Sequence, residues 1–220
     1  MMKLRFVITA GPTREYLDPV RFLSNPSSGR MGFSIARAAA RRGHEVVLVA
    51  GPVQLRTPKG VRRVDVSSAR EMLGAVETAL AENGGKDAAS TFFIATAAVA
   101  DWRPKRMAAE KLKKGEMSGV LELVRNPDIL KSVKGARKIG FAAETGAKLD
   151  EAVRKCREKS TEMIVFNDVT SPGAGFGTAT NRVTFVHASG KLETLPLMSK
   201  QAIGARIVRF CEGLEKCPKT

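Results

Sequence analysis

What most constrains this chain is a set of short, almost wholly apolar runs separated by segments with helical spacing. KLRFVIT at 3–9 closes on Ala10-Gly11-Pro12, Glu45–Ala50 and Val61–Val66 follow, and FFIAT occupies 92–96. KIGFAAE at 138–144 and EMIVFND at 162–168 repeat the pattern. Such runs are too short for buried helices, and strands covered by helices on both faces lose the polar alternation of a half-exposed sheet. Between them, Phe33, Ile35 and Ala36 space a helix over Met31–Arg42 that stops at Gly43. Met72, Leu73, Val76 and Leu80 space a second, capped by Ser67 or Ser68 and stopped at Gly84-Gly85. A third is expected from about Lys148 to Ser160, and a closing one, capped by Ser199, runs through Phe210. This alternation predicts an α/β fold with a mostly parallel sheet and helices on both faces. RVTFVHA and KLETLPL flank Ser189-Gly190, which adds a C-terminal antiparallel hairpin.

Other stretches break the alternation. Residues 10–29 hold Gly11, Pro12, Pro19, Asn25, Pro26, Ser27, Ser28 and Gly29 and read as a long loop, uncommon inside a domain unless functional. Residues 97–119 carry Arg103, Lys105, Arg106, Lys111, Lys113 and Lys114 against Asp101, Glu110 and Glu116. This basic segment follows a strand's carboxyl end, where open sheets bind ligands, and reads either as a lid over a polyphosphate or as a solvated loop. VLELV at 120–124 reads as another strand, and Asn126-Pro127-Asp128 as a helix start with Asn126 as the cap. No internal repeat or interdomain linker is visible, so residues 1–220 are expected to form one domain.

Charge narrows the partners. Lysine and arginine outnumber aspartate and glutamate by 37 to 22, a net +15, which favours anions. One Trp and one Tyr supply few base-stacking platforms, so small polyphosphates lead over nucleic acid. No apolar run approaches the ~20 residues of a membrane span, and no signal-peptide pattern opens the chain, so a cytoplasmic location is expected. Cys156, Cys211 and Cys217 form no CxxC pair and read as free thiols.

Neither His44 nor His187 has a visible acidic orienter, so a hydrolytic triad is not expected and chemistry must rest on positioning and charge stabilisation. Ser27-Ser28-Gly29 precedes a helix whose N-terminal amides suit a phosphate or carboxylate, the rival reading being a plain cap. Asn25 offers an amide to a developing oxyanion, against the ordinary role of a turn asparagine. Lys155 and Lys159 stand four residues apart and repel unless they share an anion, although Glu151 offers Lys155 an ordinary partner.

Whole phrases then match one family. ITAGPTREYLDPVRFLSNPSSGRMGFSIA at 8–36, ATAAVADWRP at 95–104, EKLKK at 110–114, NPDIL at 126–130, GFAAET at 140–145 and NDV at 167–169 resemble phosphopantothenoylcysteine synthetase, or phosphopantothenate:cysteine ligase. The resemblance spans nearly the whole chain. GFAAET and EKLKK are closer to the bacterial CTP-using form than to the ATP-using animal form.

The resemblance implies a Rossmann-like fold, usually dimeric, and a ligase of coenzyme A biosynthesis that uses CTP with magnesium. In that scheme phosphopantothenate is activated as an acyl-cytidylate with loss of pyrophosphate, and cysteine displaces CMP. By position, Asn25 resembles the asparagine that supports conversion of the acyl-cytidylate, and Lys111 the lid lysine that meets the triphosphate. Ala95, Thr96, Ala97 and Asp101 resemble strand-end nucleotide contacts. Asn126, Pro127, Asp128, Ile129 and Phe141 resemble further parts of that pocket, and Lys155 and Lys159 the two helix lysines. Ser28 and Gly29 remain anion-binding candidates, and no metal ligand is assigned. GFGTATN at 175–181 departs from the pattern: the family places an acidic residue shortly before the asparagine, where this chain has Thr180. No flavin is expected on this chain; in many bacteria the family's unit is fused behind the flavin-dependent decarboxylase of the next step, so the resemblance implies either a stand-alone enzyme with that decarboxylase as a separate partner or one half of a bifunctional protein. The competing classes are a basic nucleic-acid-binding protein and a dinucleotide oxidoreductase, the latter opposed by the missing GxGxxG.

Overall fold

The computed structural model describes residues 3–82, 88–113, 115, 119–144, 149–168, 175 and 177–215. Strands β1 (Arg5–Ala10), β4 (Glu45–Ala50), β5 (Arg62–Asp65), β6 (Thr91–Ala95), β9 (Arg137–Glu144) and β10 (Met163–Asp168) pair in parallel. β12 (Val183–His187) joins β10 antiparallel and β13 (Leu192–Thr194) completes the expected hairpin, giving the order β13-β12-β10-β9-β6-β1-β4-β5. The chain therefore reverses its direction of winding between β1 and β6, which leaves a crevice at their carboxyl ends.

Strand alternation divides the core into two layers. Phe6, Ile8, Phe92, Ile94, Met163 and Val165 face helices α1 (Arg30–Arg41) and α5 (Lys200–Glu215). Val7, Phe93, Ile164 and Phe166 face α2 (Ala69–Ala81), α3 (Ile129–Ser132) and α4 (Leu149–Glu158). Each fully buried Phe or Ile contributes roughly 1.5–3 kcal/mol of transfer free energy, so the two layers dominate the stabilisation. Ser68 is the cap of α2: its hydroxyl accepts from the Glu71 amide, while the Glu71 carboxylate accepts from the Ser67 amide. The Ser199 hydroxyl likewise accepts from the Ala202 amide at the start of α5.

Several expectations need correction. Residues 10–29 are not one loop: β2 (Arg14–Tyr16) and β3 (Phe22–Ser24) form a hairpin. Its turn is held by Asp18, whose carboxylate accepts from the Val20, Arg21 and Leu112 amides and the Arg21 guanidinium. The guanidinium, with those amides, holds the Asp18 carboxyl far below the ordinary carboxylate range against the opposing effect of burial. The strand expected at 120–124 is the shorter β8 (Leu123–Arg125), which pairs outside the main sheet with β7 (Trp102–Pro104). Both segments are too short for their periodicity to register. Asn126 is not the helix cap either. Asp128 caps α3 by accepting from the Lys131 amide, and Asn126 instead donates to the Ala100 carbonyl and accepts from Arg103. The Gly84-Gly85 stop, the start of α4 at Lys148, Lys114 of EKLKK and Cys217 lie outside the described residues.

His44 does have an acidic partner. Its Nδ1 accepts from the Leu4 amide, so Nε2 carries the proton it shares with Glu212, 2.9 Å away. Arg42 binds the same carboxylate through two nitrogens, and the trio ties α5 to the end of α1. Burial pushes the Glu212 pKa up, but hydrogen bonds from Arg42 and His44 outweigh it and leave it below the ordinary value. The trio is structural, remote from the crevice. Cys156 and Cys211 are buried, and burial raises the Cys211 thiol well above its usual pKa, which makes it inert.

Candidate active site

The crevice is a cavity of about 820 Å³ at the carboxyl ends of β1, β6, β9 and β10. Gly32 brings α1 onto its floor. A Cβ there would stand 2.5 Å from both Ala10 Cβ and Thr96 Oγ1, so only glycine permits the approach. Gly29 caps α1 in the left-handed region, at φ 72°, with no side-chain oxygen on the helix amides. Those amides open onto the cavity with Ser27 and Ser28.

The cavity wall holds Asn25, Ser28, Gly29, Ala95, Thr96, Ala97, Asp101, Asn126, Pro127, Asp128, Ile129, Phe141, Lys155 and Lys159, every candidate residue except one. Lys111 is exposed and does not line the cavity. The segment carrying it is fastened away from the wall: the Leu112 carbonyl accepts from Arg21 and the Ala108 amide donates to Leu17. A lid role for Lys111 therefore needs a movement of this segment.

Asn25 is already engaged. Its Nδ2 donates to the Ala98 and Val99 carbonyls, both at 3.2 Å, so the amide holds the turn that carries Ala97–Asp101 along the wall. Serving an oxyanion requires releasing at least one of these donors. On the opposite wall, Lys155 lies 3.5 Å from Glu151 and Lys159 lies 3.1 Å from Asp128, so carboxylates already share both charges.

Sequence reasoning missed a second cationic end. Arg30 and Lys200, the first residues of α1 and α5, line the cavity with Asn167 and Asn181. Lys200 is only 6% exposed, and its ammonium donates to the Gly175 carbonyl at 3.0 Å. Burial, and then the charge of Arg30, press its pKa below the ordinary lysine value. As the first residue of an amphipathic helix, Lys200 carries no spacing signal; Asn167 and Asn181 sat inside noted motifs but were given no role.

Strand order and crevice define a doubly wound α/β protein with a pocket lined by lysines and arginines at its switch point. The chain belongs to the DNA/pantothenate metabolism flavoprotein C-terminal domain family, whose model matches residues 1–214. It is 46% identical over 214 residues to the coenzyme A biosynthesis bifunctional protein CoaBC of Vibrio cholerae, an alignment covering 94% of this chain and 51% of that protein. The CoaBC of Bacillus subtilis is 43% identical over 215 residues, covering 96% and 51%. The chain thus spans about half the length of the curated relatives it matches. Among solved structures, the C-terminal domain of CoaBC superposes with a TM-score of 0.79 at 41% identity over 98% of this chain and 99% of that one. A Cab2 variant in complex with phosphopantothenate-cysteine shares the fold, with a TM-score of 0.80 at 16% identity over 99% and 89%.

Proposed function

We propose that this chain is the phosphopantothenate:cysteine ligase of coenzyme A biosynthesis. The observation that carries the reading is the gathering of nearly all the motif residues, scattered from 25 to 159, around one cavity. In the reaction, the phosphopantothenate carboxylate attacks the α-phosphorus of the nucleotide and pyrophosphate leaves. The cysteine amine then attacks the acyl carbonyl, gives up a proton, and CMP departs. Both nucleophiles belong to substrates, so the protein has to hold them in line and neutralise charge, which suits a cavity lined by backbone amides, lysines and asparagines.

CTP is proposed over ATP on the GFAAET and EKLKK phrases. Among the described residues no group of three or more His, Cys, Asp or Glu converges. Among the described residues Asp101 and Asp128 are the carboxylates lining the cavity, a donor set that fits an ion held mostly by phosphates and water. Magnesium arriving with the nucleotide would be held by Asp101 and would offset triphosphate charge. A homodimer is also proposed. Val20, Phe22, Trp102, Met107, Leu121 and Leu123 are exposed on or beside the β2–β3 and β7–β8 ribbons, an apolar surface suited to a second copy. The implied partner enzyme is the decarboxylase acting on the product. Among the described residues no helix is long and apolar enough to cross a membrane, and the location proposed is the cytoplasm.

The test is phosphopantothenoylcysteine formation with magnesium and each nucleotide, with pyrophosphate followed before and after cysteine is added. Product from CTP requiring all three substrates is expected. No product from CTP or ATP refutes the ligase reading.

A further inference from the structure

The end of the cavity built by Arg30 and Lys200 has no part in the scheme so far. Both residues open helices whose axes end at the cavity, so two positive helix ends converge there with two cationic side chains. The convergence is built into the packing. Gly204, one turn into α5, faces α1 so closely that a Cβ would lie 3.1 Å from the backbone of Ser34 and Ile35. Close packing of the two helices there brings their first residues to the same wall.

Arg30 is exposed but Lys200 is buried, and a buried ammonium held beside a second cation is costly unless something anionic comes between them. Their partners are poor compensation. The Lys200 ammonium has three donors, yet among the described residues its hydrogen bond goes to one neutral carbonyl, that of Gly175. Arg30 similarly donates to the Gly177 carbonyl at 3.1 Å. Among the described residues no carboxylate offsets the charge of Lys200; burial and Arg30 both act against it. Beside them, Asn167 is 9% exposed and its Oδ1 has no hydrogen-bond partner among the described residues; the assignment of the two amide atoms is interchangeable, so either end can turn to a ligand. Alternation along β10 places Asn167 with Met163 and Val165, on the α1 and α5 face of the sheet.

We infer that Arg30, Lys200 and Asn167 form a phosphoryl-binding subsite, distinct from the Lys155 and Lys159 wall, that holds a terminal phosphate or pyrophosphate group of a substrate. The cations neutralise the group, the uncapped α1 amides complete its shell, and Asn167 donates to one of its oxygens. The inference rests on the ligase reading only for the identity of its ligands. Two come with that reading: the β,γ-phosphates of CTP and the phosphate ester of phosphopantothenate.

Calorimetric titration of wild type, Lys200→Met and Arg30→Gln separates them. The probes are inorganic pyrophosphate, CTP against CMP, and phosphopantothenate against pantothenate. Wild type should bind pyrophosphate, and each variant should lose about ten- to a hundredfold of that affinity. The same loss for CTP with CMP unchanged assigns the nucleotide tail; loss for phosphopantothenate with pantothenate unchanged assigns the ester phosphate. Lys200→Arg, which keeps the charge, should recover most of the lost affinity, an outcome that a purely structural lysine would not give. Thermal melts identify any variant that fails to fold, in which case Arg30→Gln and Lys200→Arg carry the test. If pyrophosphate, CTP and phosphopantothenate all bind folded variants within about twofold of wild type, the subsite does not exist. Pyrophosphate binding is read without turnover, so an inactive wild type that still binds it through Lys200 would defeat the ligase reading and leave the subsite standing.

Discussion

Replacing Asn25 by aspartate keeps the side chain's shape and inverts its chemistry. In the wild type, Nδ2 donates to the Ala98 and Val99 carbonyls at 3.2 Å from a partly buried position. Alanine removes both bonds, each worth about 1 kcal/mol net, so Asn25→Ala should lose about 2 kcal/mol, or about 4–8 °C in melting temperature for a chain of this size. Aspartate does worse at neutral pH, because a carboxylate would face two carbonyl oxygens and its pKa would be raised in the folded state. Each unit of that rise costs about 1.4 kcal/mol. The sign follows from linkage: the added penalty is absent below the unfolded aspartate pKa of about 3.9 and grows as pH rises toward the folded value. Melts of wild type, Asn25→Ala and Asn25→Asp should show the aspartate variant falling further behind between pH 4 and pH 8. In the reaction, Asn25→Asp should still release pyrophosphate without cysteine but discharge the acyl-cytidylate about 10²–10³ more slowly, because the amide donor is gone. If both variants melt within about 1 °C of wild type at pH 8 and discharge at the wild-type rate, Asn25 neither holds the turn nor serves the carbonyl.

Lys111→Gln should leave the melting temperature unchanged, since the side chain is exposed, while slowing pyrophosphate release by about tenfold to a hundredfold; release at the wild-type rate would remove Lys111 from the mechanism. Glu212→Gln should destabilise by about 2–4 kcal/mol near pH 7 by leaving Arg42 and His44 without their carboxylate. Because the Glu212 pKa is depressed, that contribution is present above the ordinary glutamate pKa and is lost as pH falls through the lowered folded value, so denaturant midpoints of variant and wild type should converge in acid. A gap independent of pH would contradict this. Gly32→Ala should cost about 1–3 kcal/mol and weaken nucleotide binding, since a Cβ 2.5 Å from Ala10 and Thr96 forces α1 off the cavity floor; unchanged CTP affinity would show that the floor tolerates the shift.

The parallel sheet was legible because its strands are buried on both faces and so read as continuous apolar runs. The β2–β3 and β7–β8 ribbons were not. They have three residues per strand, their order comes from Asp18 and from pairing across the chain, and neither leaves a periodic trace. The cavity's motif residues were legible as phrases, and the packing of β6, α3 and α4 gathers them around one cavity. Asn126 shows where local reasoning fails. Its residue type and the following proline suit a cap, but a long-range bond to the Ala100 carbonyl draws the side chain away and leaves capping to Asp128.

Lys200 shows a different limit. A lysine opening an amphipathic helix reads as a solvated residue, and here the sequence neighbours are compatible with that reading. Its burial is decided 170 residues away, where Arg30 opens α1, and by Gly204, which lets the two helices close on each other. The sheet then separates the helix-borne cations of the cavity: those of α1 and α5 approach from one face, those at the end of α4 from the other. A ligand carrying anionic groups at well-separated points is what such a division can orient, whereas a single small anion could satisfy only one end. That distinction ties the charge excess in the composition to geometry: the positive field attracts anions generally, and the placement of two cationic ends about one crevice selects among them.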